Sequence, residues 1–141
     1  MMLAANLVFL LTIMRPAVAA DASPWDGGKH TAIRLIAGAT AQSAGAEIRL
    51  APGWKTYWRY PGDSGIPPRF DFSGSQNVKS VTVRFPAPQR LIDESGTTIG
   101  YKHDVVFPLE VVAEDTARPV TLRLKLDYAV CEKICQPADA K

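Results

Sequence analysis

Val120-Thr121-Leu122-Arg123-Leu124-Lys125-Leu126-Asp127-Tyr128 is the stretch that decides the fold class. Its apolar residues (Val120, Leu122, Leu124, Leu126 and Tyr128) alternate strictly with Thr121, Arg123, Lys125 and Asp127. That period of two belongs to a β-strand with one face against a core. Each aliphatic side chain buried there contributes roughly 1.5–3 kcal/mol before the entropy of ordering is set against it. The same period recurs upstream. Ala46, Ile48 and Leu50 alternate with Glu47 and Arg49, and after the break Ala51-Pro52-Gly53 the run Trp54-Lys55-Thr56-Tyr57-Trp58-Arg59-Tyr60 is rich in strand-favouring aromatics. Thr31–Ala37 is a strand of rougher period, and in residues 78–85 Val81 and Val83 share a face opposite Thr82 and Arg84 before Pro86 ends the segment. Residues 105–112 form a further apolar run interrupted by Pro108, which predicts a sheet edge or a kink because proline cannot donate to a ladder.

Turn residues separate these segments. Pro61-Gly62-Asp63-Ser64-Gly65 followed by Pro67-Pro68 is a loop, and eleven Pro with ten Gly in 141 residues suit short strands better than long helices. Short strands at this spacing predict an all-β sandwich with a single core. A net charge of +2, with no run of Lys and Arg, excludes a nucleic-acid footprint.

Residues 1–20 have the pattern of an export signal. An apolar stretch at 3–14 leads into Arg15-Pro16 and the small residues Ala17-Val18-Ala19-Ala20, a cleavage pattern. The stretch is shorter than the ~20 residues a spanning helix needs. The expected mature domain is therefore residues 21–141, in an oxidising compartment where disulfides persist.

Cys131-Glu132-Lys133-Ile134-Cys135 directly follows the opening stretch and Ala129-Val130. Continued extension would hold the two α-carbons about 13 Å apart, whereas a disulfide needs roughly 4.4–6.8 Å. The chain must therefore turn after Val130, through a tight loop or a single turn, with Pro137 placed to stop it. A structural staple, a metal site and a redox centre compete for the pair. A staple enclosing three residues constrains the unfolded chain by less than the ~3 kcal/mol expected of a 15-residue loop. A metal site lacks companion ligands, since His30 and His103 make no ligand motif; copper(I) is the metal that would suit two thiolates. Spacing and compartment leave redox exchange and the staple equally open. Lys133 favours a thiolate and Glu132 opposes it, so the local charges do not decide.

Three segments taken together do decide. Pro52-Gly53-Trp54-Lys55-Thr56-Tyr57-Trp58-Arg59, Pro61-Gly62-Asp63-Ser64-Gly65, and Leu126-Asp127-Tyr128-Ala129-Val130-Cys131 through Cys135-Gln136-Pro137 resemble the N-terminal periplasmic domain of the DsbD/ScsB family of thiol:disulfide interchange proteins. The resemblance spans nearly all of the mature chain. It implies an immunoglobulin-like β-sandwich in the periplasm, needing no cofactor, with Cys131 and Cys135 as the catalytic pair. Cys135 corresponds to the cysteine that forms the intermolecular mixed disulfide and Cys131 to its resolving partner. The implied partners are a membrane electron-donor domain of the DsbD/ScsB type and periplasmic thioredoxin-fold disulfide proteins.

Two departures accompany the resemblance. The family's aromatic cap over the disulfide corresponds to Ile92-Asp93-Glu94-Ser95-Gly96, which holds no aromatic residue, so shielding comes from elsewhere or is weaker. The family pattern also continues past Lys141, which implies either a C-terminal truncation or a separate electron donor. Tyr57, in the aromatic strand, and Tyr101, just after the stretch that corresponds to the cap, are the candidate partner-binding residues, with core or sheet-face packing as the competing role for Tyr57. Turn chemistry accounts for Asp63 and Ser64, and His103 is expected in a solvated loop.

Overall fold

The computed structural model describes residues 21–94 and 96–141, and every regular element among them is a strand. The export signal expected at residues 1–20 lies outside the described residues. In chain order the strands are β1 (Asp26–Gly27), β2 (Thr31–Ala37), β3 (Ser43–Leu50), β4 (Thr56–Gly62), β5 (Arg69–Asp71), β6 (Val78–Val83), β7 (Gln89–Asp93), β8 (Gly96–Tyr101), β9 (Val105–Ala113), β10 (Lys125–Cys131) and β11 (Cys135–Ala140). They form a five-stranded sheet, β1-β2-β3-β9-β6, and two three-stranded sheets, β11-β10-β5 and β4-β8-β7. All pairings are antiparallel.

The two small sheets are stitched where β10 ends and β4 is about to begin. Lys55 N–H donates to the Cys131 carbonyl at 2.8 Å, and Cys131 N–H returns a bond to the Lys55 carbonyl at 2.9 Å. One core runs between this composite layer and the large sheet. Ala46, Ile48 and Leu50 of β3, Val105, Phe107, Leu109 and Val111 of β9, and Leu126, Tyr128 and Val130 of β10 all point into it. The result is the all-β, immunoglobulin-like fold that the alternation and the resemblance predicted. Within the core the Tyr128 hydroxyl is paired with Thr31 Oγ1 at 2.9 Å, so its polar end is not left unsatisfied.

Three local expectations are corrected. Strand β9 lies between β3 and β6, so Pro108 sits in a central strand. It is tolerated because it falls at the end of the β6 ladder. The Pro108 carbonyl accepts from Arg84 N–H at 2.8 Å, just past Val83. The nitrogen points to the same side as that carbonyl, so the absent N–H costs one terminal bond.

The alternation at 120–128 survives as alternating burial, yet the ladder begins only at Lys125. Before it, Gln76 and Thr121 exchange backbone hydrogen bonds at 2.9 and 3.1 Å. The Ser75 hydroxyl accepts from Arg123 N–H at 2.9 Å and donates to the Arg123 carbonyl at 3.2 Å, taking the place of a strand. Pro137, expected to stop a turn, lies in β11, an outer strand of its sheet, where a proline is accommodated.

Candidate functional site: a half-open cystine on the outer sheet face

Because side chains alternate across a strand, the residues of β10 that fill the core also decide where the cysteine goes. Leu126, Tyr128 and Val130 point inward, so Ala129 and Cys131 point outward. They form a separate small cluster with Tyr57 on that outer face. The chain then reverses through Glu132, Lys133 and Ile134, and β11 pairs back on β10 with Cys135 directly opposite Cys131. The two cysteines are joined by a disulfide with their α-carbons 4.0 Å apart. The turn required by the spacing is thus a hairpin between paired strands.

The two cysteines differ in exposure. Cys131 is 2 % exposed, while Cys135 and the three loop residues stand in solvent. Tyr57 packs against the pair, closer to Cys131. It is 1 % exposed, its hydroxyl donates to Cys131 Sγ at 2.8 Å, and Cys135 Sγ lies 3.7 Å from the same oxygen. Burial, with the charge of Asp93 adding to it, raises the Tyr57 pKa above its ordinary value, so the phenol remains a donor at neutral pH. Thr56, the next residue back, donates its hydroxyl to the Ala129 carbonyl at 2.9 Å and fixes β4 against β10. In place of an aromatic cap, a tyrosine from the neighbouring strand covers the inner sulfur.

A loop braces that tyrosine from behind. The Asp63 carboxylate accepts from Thr97 N–H at 2.9 Å, and Asp63 N–H donates to the Thr97 carbonyl at 3.0 Å, tying the glycine-rich loop to the β7–β8 hairpin. Gly65 then passes over the Tyr57 ring with φ +105°, and a Cβ there would overlap Cε1 and lie 2.6 Å from Cδ1. Gly65→Ala therefore meets both backbone strain and a clash. The expected cost is about 1–3 kcal/mol, read as a lower urea midpoint of the oxidised protein. An unchanged midpoint would show that the loop is free to lift off Tyr57.

Tyr101 is placed differently. It pairs in register with Thr56 on the core-facing side, while Tyr57 pairs with Gly100 on the outer face. Its ring packs edge-on against Phe107 at 5.5 Å, its hydroxyl donates to the Pro86 carbonyl at 2.9 Å, and burial pushes its pKa up to about 12. The structure brings Tyr57 to the cysteines and assigns Tyr101 to the core; one residue of strand parity separates the two outcomes.

Lys55 belongs to the same face, and sequence reasoning did not single it out. Its ammonium pairs with the Asp93 carboxylate and lies 3.3 Å from Thr98 Oγ1. The only local signal was a charged residue in an aromatic strand, which by itself fits any exposed position.

Fold and site together define an immunoglobulin-like all-β domain built around a cystine with one covered and one open sulfur. Residues 29–141 match the family described as Thiol:disulfide interchange protein DsbD, N-terminal, and the chain belongs to that family. It is similar to the crystal structure of the N-terminal periplasmic domain of ScsB from Proteus mirabilis, with a TM-score of 0.69 and 29% sequence identity, over 86% of this chain and 49% of that one. The chain thus spans about half the length of that relative. No curated protein matches it.

Proposed function

We propose that this domain carries electrons in the periplasm, reducing disulfides of exported thioredoxin-fold proteins and being reset by a membrane electron-donor domain of the DsbD/ScsB type. The observation that carries the reading is the asymmetry of the pair: Cys135 open to solvent, Cys131 covered by Tyr57. Exchange needs one sulfur that a macromolecule can reach and a second held in reserve to resolve the adduct. In the reduced domain the Cys135 thiolate attacks a client disulfide, forms a mixed disulfide and releases one client thiolate. Cys131 then attacks Cys135 Sγ, releases the second client thiolate and re-forms the bond between the two cysteines. Two electrons pass to the client, and the donor returns two to the domain.

A structural staple would gain little here. Its loop is only three residues long, and the β10–β11 ladder already holds the hairpin closed. Redox titration followed by mass spectrometry separates the two roles. Exchange predicts a pair reduced within the glutathione or thioredoxin range, whereas a potential below about −300 mV would overturn the reading in favour of a staple.

A further inference from the structure

The Tyr57 hydroxyl lies 2.8 Å from Cys131 Sγ and 3.7 Å from Cys135 Sγ, within reach of both reacting atoms. Packing fixes it there. Gly65 lies against the ring, and the bond from the Thr56 hydroxyl to the Ala129 carbonyl holds β4 beside β10. Covering Cys131 needs only the ring, which a phenylalanine would supply. A hydroxyl aimed at a disulfide sulfur gains little by itself, because neutral sulfur is a weak acceptor. The gain comes when that sulfur carries charge.

Charge reaches Cys131 in the reset. A donor thiolate that attacks Cys135 Sγ forms one sulfur–sulfur bond, breaks the bond between the two cysteines and leaves the electron pair on Cys131, a residue 2 % exposed. A thiolate so buried is costly unless a donor faces it, and exchange is faster the better the leaving sulfur holds negative charge. The same charge is present when Cys131 attacks Cys135 Sγ to release a client, since that step makes the bond the reset breaks.

We propose that Tyr57 is a catalytic residue of the exchange, its hydroxyl holding the negative charge on Cys131 whenever the bond to Cys135 breaks or forms. The proposal rests on the exchange reading above. The hydrogen bond is already in place in the disulfide and strengthens as charge develops, because bonds to an ionised acceptor are roughly twice as strong. That increment stabilises the transition state over the ground state. Burial, and then the charge of Asp93, raise the Tyr57 pKa, so the phenol keeps its own proton and the one Cys131 finally takes comes from water.

Tyr57→Phe keeps the ring beneath Gly65 and removes the hydroxyl. Reduction of the oxidised protein by dithiothreitol at neutral pH, quenched by alkylation, reads the reset: one thiol of the reagent expels Cys131, its second thiol then expels Cys135, and the reagent leaves as a cyclic disulfide. The variant is expected to be reduced about fivefold more slowly. The reduced protein with 5,5′-dithiobis(2-nitrobenzoate) reads the other direction by stopped flow. Attack by Cys135 releases one thionitrobenzoate and leaves the other attached. Attack by Cys131 on Cys135 releases the second and closes the protein disulfide, so two thiols are oxidised, one probe disulfide is reduced and two protons are lost. The first phase is expected to stay unchanged and the second to slow about fivefold at neutral pH.

As the pH rises through the thiol range, the ratio of wild-type to variant second-phase rates is expected to fall toward one. Once Cys131 is ionised beforehand, the same hydrogen bond also holds the ground state. Lys55, opposite Cys131 in the backbone pairing, Asp93, whose charge reaches Tyr57, and the exposed Glu132 and Lys133 are common to both proteins and cancel in that ratio. Equal slowing of both phases, no slowing of the second, or a ratio constant with pH would show that Tyr57 is a cover alone and overturn the proposal. Should Tyr57→Phe fail to fold, ring-fluorinated tyrosine incorporated in its place is a stronger donor and decides the question: a faster second phase at neutral pH supports the role, and an unchanged or slower one overturns it. The exchange reading fails separately: a wild-type protein that releases only one equivalent of thionitrobenzoate, or a Cys131→Ala variant that releases two, would defeat it whatever Tyr57 does.

Discussion

Cys131→Ala is expected to turn the domain into a trap. Its reduced form should capture disulfide-bearing client proteins as adducts that persist without reductant, because Cys135 still attacks from solvent and no second thiol follows. Cys135→Ala should capture nothing, since the remaining thiol is 2 % exposed beneath Tyr57. Both variants should fold, because the ladder of β10 and β11 from Leu126 to Cys131 is made by the backbone and does not pass through the disulfide. Non-reducing electrophoresis of the purified variants with an oxidised thioredoxin-fold protein reads the difference directly. Trapping through Cys131 in the Cys135→Ala variant would reverse the assigned order. Trapping by neither would remove the exchange mechanism altogether.

The second large effect concerns stability. Phe107 is fully buried in central strand β9, with the rings of Phe70 and Phe85 each at 5.2 Å and Tyr101 at 5.5 Å, all edge-on. Phe70 comes from the small sheets and Phe85 from just beyond β6, so Phe107 joins the two layers. Truncation removes the central ring of that cluster and leaves a cavity that three rigid neighbours cannot fill. Phe107→Ala is expected to cost about 3–5 kcal/mol, a large share of the ~5–15 kcal/mol by which domains are stable. Urea unfolding of the oxidised protein at fixed pH is the measurement. A loss below about 1 kcal/mol would mean that the layers close over the gap.

Much of this architecture was legible in local pattern. The alternation at 120–128 identifies the buried side chains correctly even where no ladder forms, because alternation records which residues face the core, not which backbone they pair with. The missing pairing at 121–123 is supplied by Gln76 and the Ser75 hydroxyl, residues that no period marks. Pro108 misled for the same reason. A proline forbids one hydrogen bond on one side of a strand, and whether a neighbour waits on that side depends on where β6 ends.

Asn77 was equally invisible. It has a left-handed backbone (φ 57°), and its side-chain amide donates at 2.9 Å to the carbonyls of both Asp115 and Arg118, holding a loop some forty positions ahead. Tyr57 and Tyr101 were both candidates, and only the register of β4 against β8 shows that they face opposite ways.

What the sequence determined by itself is what short-range geometry determines: strands of period two, and a chain that has to turn between two cysteines four positions apart if they are to be joined. What only the tertiary structure decided is which sulfur is covered. That depends on Tyr57, 74 positions from Cys131, which the backbone pairing of Lys55 with Cys131 brings alongside it. Alternation assigns a side chain to a face, but the cover on that face comes from non-local register, to which residues distant in sequence contribute.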